Sequence, residues 1–126
     1  MTKPIVVKPT RLEACPAKPG LTKRPLIDPA TAANVAALFK VLASDTRLRL
    51  LHALVKAGEI CVTDLAEAVG MAPQAVSNQL QRLVDRSIIA SRREGLQIFY
   101  RVVDPCVIAL LDQGLCFVED ARGRRG

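Results

Sequence analysis

Residues 61–101 read CVTDLAEAVGMAPQAVSNQLQRLVDRSIIASRREGLQIFYR, and two periodicities meet inside them. Val62, Leu65, Ala66 and Val69 recur at helical spacing, which predicts a short amphipathic helix. Gly70 and Met71 end it, because glycine takes the left-handed conformation that a helix C-terminus favours. Pro73 suits the first turn of a second helix, where its missing N–H costs nothing. Val76, Leu80, Leu83 and Val84 make the apolar stripe of that helix, and Gln74, Ser77, Asn78, Gln81 and Arg82 are left on the other side. This outer side is polar and free of carboxylates. Asn and Gln pair bidentately with adenine, Arg pairs with guanine, and Ser serves either base or phosphate. The pattern predicts a helix-turn-helix whose second helix reads the major groove of double-stranded DNA.

Two alternating stretches follow. Ile88, Ile89 and Ala90 lead into Ser91-Arg92-Arg93-Glu94-Gly95, and Gln97-Ile98-Phe99-Tyr100-Arg101 returns. This predicts a β-hairpin wing with Arg92 and Arg93 near its tip, placed to touch backbone phosphates. Two core helices with a solvated face would explain the helix pair alone; the hairpin favours a winged helix-turn-helix. The expected class is mainly α (α+β), with about five helices and a hairpin.

The flanks supply the remaining helices. Asp28-Pro29 is a helix start, an N-cap acid before proline at the first position. Ala33, Val35, Ala36, Leu38, Phe39 and Leu42 carry that helix to about residue 42. Ser44 or Asp45 opens the next, with Leu48, Leu50, Leu51, Leu54 and Val55 apolar and Gly58 at its end. Asp104-Pro105 repeats the start signature and opens the last helix, striped by Val107, Leu110, Leu111, Leu115 and Val118. The first and last helices carry more apolar surface than a small winged core can bury, so both are expected to be shared in a symmetric homodimer. Residues 29–121 form the dimerisation and DNA-binding domain in this reading. Residues 1–28, with five prolines, form a flexible basic arm, and residues 122–126 a frayed basic tail.

The chain has 126 residues, enough for one domain with a modest core. Half of it is apolar but only 3% is aromatic, so aliphatic packing must dominate. The net charge of +6 suits an anionic partner. No apolar run approaches the roughly 20 residues that span a bilayer, and the N-terminus lacks the apolar stretch of a signal peptide. A cytoplasmic protein with no membrane partner is expected. No glycine-rich phosphate loop or paired carboxylates point to an enzyme.

Four cysteines in a reducing compartment read as metal ligands, redox groups or small apolar side chains. Cys15 lies in the arm, where packing gives it little reason to exist. Cys61 falls at a helix start, where backbone N–H groups favour a thiolate and Asp64 stands three residues on as a capping partner. Cys106 and Cys116 lie on the last helix about 15 Å apart, so they cannot grip one ion within one chain. His52, the only histidine, reads as a partly buried helix residue rather than a ligand. Thiolates select soft ions, with two or three sulfurs suiting mercury(II) and three or four suiting cadmium, lead or zinc.

The stretch VLASDTRLRLLHALVKAGEICVTDLAEAVGMAPQAVSNQLQRLVDRSIIASRREGLQIFYRVVD resembles the ArsR/SmtB family of bacterial metal-responsive repressors, with the likeness running from about Ala30 to Asp120. LASDTRLRLL, ICVTDLA, AVSNQLQRL and GLQIFYRVVD are its more specific pieces, and the chain is also similar to the family's mercury-responsive branch in actinobacteria. The resemblance implies a dimer in which the last helices run antiparallel, so that Cys106 approaches Cys116 of the partner subunit. It implies a ligand at Cys106, two residues after Asp104, whereas Phe117 stands where relatives have a histidine, which counts against a zinc site. Relatives that sense cadmium or lead pair arm cysteines with the ICV segment, which implies Cys15 with Cys61; Thr63 stands where some carry another cysteine. The expected activity is repression relieved by a thiophilic ion bound through Cys15, Cys61, Cys106 and Cys116. Mercury(II) or an organomercurial ranks first, cadmium(II) or lead(II) second and arsenite third. The alternative is a redox or reactive-sulfur sensor on the same scaffold; relatives of that kind place a cysteine where this chain has His52.

Overall fold

The computed structural model describes residues 18–125, with side chains described through residue 121. Helix α1 (Pro29–Leu42) begins where Asp28 accepts a hydrogen bond from the Thr31 N–H at 2.8 Å. Helix α2 (Asp45–Ala57) begins where Ser44 Oγ accepts from the Arg47 N–H at 3.2 Å, and Gly58, at φ 81°, ends it. These side chains satisfy N–H groups that a helix start leaves without partners. Strand β1 (Ile60–Cys61) and helix α3 (Val62–Val69) follow. Gly70, at φ 71°, closes α3 in the left-handed conformation, and helix α4 (Pro73–Asp85) starts on its proline. Strands β2 (Ile89–Glu94) and β3 (Gln97–Val102) form the hairpin, and helix α5 (Pro105–Arg125) ends the chain. At its start Asp104 Oδ1 accepts from the Cys106 N–H at 2.9 Å.

The sheet has three strands in the order β1-β3-β2, all antiparallel. The sequence pattern predicts two of them. Strand β1 is only two residues long, and two residues have no alternation to detect; pairing Ile60 with Tyr100 and Cys61 with Phe99 makes them a strand. Arg92 and Arg93 also lie within β2, opposite Phe99 and Ile98, and the turn is Gly95-Leu96. Helix α5 runs through Arg125, into the stretch read as a frayed tail.

Leu50, Leu51 and Leu54 of α2, Leu65 and Ala66 of α3, and Val76, Leu80 and Leu83 of α4 meet Ile88, Ile89, Tyr100 and Val102 in one core. Leu42 and Val107 close it from α1 and α5. Among the described residues no polar or charged side chain is buried. Helices α1 and α5 are different: Phe39 is 50% exposed, Leu115 46% and Val118 52%. Phe39, Leu42, Leu48, Leu51, Val107, Leu110, Leu111, Leu115 and Val118 line an open apolar groove of about 440 Å³. No described helix is long and apolar enough to cross a membrane.

Candidate nucleic-acid interface and metal-ligand positions

The apolar stripe of α4 locks it against α2 and α3, with Val76, Leu80 and Leu83 fully buried. Gln74, Asn78, Gln81 and Arg82 are exposed on the opposite side, and Ser77 is half-buried at its edge. The Gln74 Nε2 donates to Asn78 Oδ1 at 3.1 Å, and the Gln81 Nε2 donates to Asp85 Oδ1 at 2.9 Å. The first bond occupies one lone pair of the Asn78 oxygen and leaves its NH₂ and second lone pair for another partner. A bidentate contact to adenine needs one acceptor and one donor, so Asn78 keeps the full set.

The wing separates its two predicted arginines. Arg92 is tied down, its Nη2 and Nε donating to Glu59 Oε1 and Oε2 at 2.9 and 3.0 Å and its Nη1 to Glu94 Oε1 at 2.7 Å. Its guanidinium also lies 4.8 Å from the centroid of the Phe99 ring. The hydrogen bond from Arg92 holds the Glu59 carboxyl below its ordinary range, and the Arg92 guanidinium is pushed up in turn, mainly by Glu59. Arg101 Nη1 reaches the same carboxylate at 4.0 Å. Arg93, by contrast, has only a 3.5 Å contact to the Gly95 carbonyl at the turn and faces solvent.

The cysteines fall into separate environments. Cys61 is 3% exposed and caps α3 without a side-chain hydrogen bond, so the proposed pairing with Asp64 is not made through its sulfur. Cys106 and Cys116 are both exposed on α5, and the Cys116 thiol lies 3.8 Å from Asp120 Oδ2. Cys15 lies outside the described residues. Among the described residues no three histidine, cysteine or carboxylate side chains come together to hold an ion. His52 is exposed on α2, not partly buried as its sequence context suggested, because it sits opposite the Leu50-Leu54 side.

A winged helix-turn-helix DNA-binding family model matches residues 44–90, which span α2 through the start of β2. The HTH-type transcriptional regulator NmtR of Mycobacterium tuberculosis is 40% identical over 93 residues, covering 74% of this chain and 77% of NmtR. The chain belongs to the ArsR/SmtB family. The crystal structure of the AntR antimony-specific transcriptional repressor superposes at a TM-score of 0.75 with 62% identity, covering 87% of this chain and 99% of that one. The homodimeric winged helix-turn-helix domain of Mb0332 from Mycobacterium bovis, a possible ArsR-family regulator, superposes at 0.69 with 28% identity, covering 82% and 95%.

The protein is thus a metal-responsive transcriptional repressor of the ArsR/SmtB type. Three polar residues of this ArsR/SmtB scaffold escaped the sequence reading: Glu59, Arg47 and Gln79. Arg47 Nε donates to the Val41 carbonyl at 2.6 Å and its Nη1 to Gln79 Oε1 at 2.8 Å. The carboxylate Glu59 precedes a strand too short to recognise, and Gln79 looks like one more polar position on α4. Nothing in their own neighbourhoods marked them.

Proposed function

We propose that the protein acts as a homodimer on a near-palindromic operator and leaves it when cysteine thiolates of α5 bind a thiophilic ion. The observation that carries this reading is the placement of Cys106 and Cys116 on the helix that also carries uncovered apolar surface. A second copy laid on α1 and α5 would bury Phe39, Leu115 and Val118, and an ion joining thiolates there would act on the spacing between two reading helices. Cys15 of the arm is a candidate third sulfur. Cys61, buried within strand β1 and paired with Phe99, would need that strand to open locally before it could bind, which favours a packing role for it.

The kinship to AntR supports antimony(III), a soft centre that takes three sulfurs in a pyramid, ahead of the mercury(II) ranked first from the sequence. Cadmium(II), lead(II) and arsenite follow. On the DNA side, Gln74, Ser77, Asn78, Gln81 and Arg82 face the major groove, and Arg93 meets phosphate. Arg92 braces the wing against Glu59, since a phosphate contact would require it to leave two carboxylates.

The test is release of reduced protein from operator duplex, titrated under anaerobic conditions with antimony(III), mercury(II), cadmium(II), lead(II), arsenite and zinc(II). Cys106→Ser and Cys116→Ser should retain DNA binding and lose most of the response. Cys15→Ser should weaken it, and Cys61→Ser should leave it near the parent. Release of the Cys106→Ser and Cys116→Ser proteins at the parent's ion concentrations would refute the site. Release by a polysulfide but by none of the ions would favour the reactive-sulfur alternative.

A further inference from the structure

The reading helix α4 is held mainly by apolar packing, which resists separation more than sliding. Among the described residues its one side-chain hydrogen bond to another helix is the bond from Arg47 to Gln79. Arg47 stands in the first turn of α2, its own N–H bonded to Ser44 at 3.2 Å. From there the guanidinium spans two elements, with Nε on the Val41 carbonyl in the last turn of α1 at 2.6 Å and Nη1 on the Gln79 amide oxygen at 2.8 Å. All three residues are half-buried, so solvent competes only in part for these bonds. Helix α1 is also one wall of the open apolar groove through Phe39 and Leu42.

We propose that Arg47 is a positioning residue for operator recognition, tying α4 to α1 and thereby setting the distance between the two reading helices of a dimer. The inference rests on the dimer and operator reading above. A planar guanidinium suits this task because its donors leave in fixed directions, one toward each partner. A lysine ammonium is a single point and cannot span both acceptors in that geometry. The functional consequence is spacing discrimination. One base pair added between half-sites moves them apart by about 3.4 Å and rotates them by about 34°. A rigidly tethered pair of readers rejects that change, and a loosely tethered pair tolerates it.

The experiment uses the full chain and a near-palindromic duplex selected by the parent protein from random sequence, with one base pair inserted or removed at its centre. Gln79→Met keeps the side chain's length but removes the acceptor; Gln79→Glu keeps an acceptor; Arg47→Lys removes the fork. The parent should lose about tenfold or more on the altered spacings, on the scale of a lost base contact. Gln79→Met and Arg47→Lys should reduce that ratio to about threefold or less, while binding random DNA as the parent does. Gln79→Glu should preserve the ratio. Melting temperature and sedimentation are read alongside, because a purely structural bond would lower stability without changing the spacing ratio. A Gln79→Met protein that keeps the parental ratio overturns the proposal, as does a parent indifferent to spacing. A parent that is monomeric, or selects no duplex, instead removes the dimer and operator reading beneath it.

Discussion

At the scale of single residues, the difference between Asn78 and Arg92 is one of availability. Asn78 is exposed with its amide oriented by Gln74, which in the proposed function presets its polar edge for a base. Asn78→Ala should cost roughly 1–3 kcal/mol on the true operator and relax specificity there, with little loss on random DNA. Equal losses on both duplexes in a binding titration would show that Asn78 does not read a base. Arg92 is held by Glu59 and Glu94, and its pairing has a pH signature. The Glu59 carboxyl is lowered from its ordinary value of 4.5, so the folded state binds its proton less readily than the unfolded chain does. Its contribution is therefore complete above that value and is lost as pH falls through the lowered folded value. Melting curves of the parent and Glu59→Gln should differ by a small constant amount near neutral pH and converge in acid; the exposed setting keeps the difference small.

Elements are set by their ends as much as by their stripes. Asp28 and Ser44 each accept a backbone N–H three residues on, and Gly70 ends α3 at φ 71°. A Cβ at Gly70 would meet nothing within 4 Å, so the cost of Gly70→Ala is conformational and not steric crowding by neighbours. That substitution should lower stability by about 1 kcal/mol, measurable by urea unfolding, and Gly70→Asn should cost less because Asn tolerates the left-handed region. Since Gly70 lies in the turn between α3 and α4, operator affinity should fall with it if α4 is the helix that enters the groove, as proposed. Strand β1 shows the converse, an element that exists only because β3 offers it a partner.

For the whole molecule, α1 and α5 together leave apolar side chains exposed along one open groove. Phe39 and Leu115 lie on the groove and are about half exposed, so charges there cost the single chain little. Phe39→Asp and Leu115→Asp should therefore leave the circular dichroism of the fold intact, shift sedimentation from dimer to monomer, and weaken operator binding strongly. Dimeric sedimentation of both variants would place the interface elsewhere. The metal response belongs to the same scale, since no ion site closes among the described residues. By linkage, an ion that lowers operator affinity must itself bind DNA-bound protein more weakly by the same factor, commonly about 1–3 kcal/mol of coupling. Isothermal titration of the free and operator-bound dimer measures it.

The sequence by itself determined the helices, their caps, the helix-turn-helix and the hairpin. Each of these is written in neighbours: Asp28 before Pro29, Gly70 before Pro73, and Val76, Leu80 and Leu83 at one period. Backbone sterics and burial act over a few residues, so such patterns survive in one dimension. The family resemblance rested on the same stretches. Only the tertiary structure decided what those elements present to one another. It made Ile60–Cys61 a strand, buried Cys61, exposed His52 and turned Arg92 from a free cation into a brace. Arg92 meets Glu59 across 33 residues of chain, and Arg47 meets Gln79 across 32. Polar side chains carry no periodicity that names a distant partner. Their pairing follows from how the apolar core brings the helices and sheet together, and that packing is a property of the folded chain.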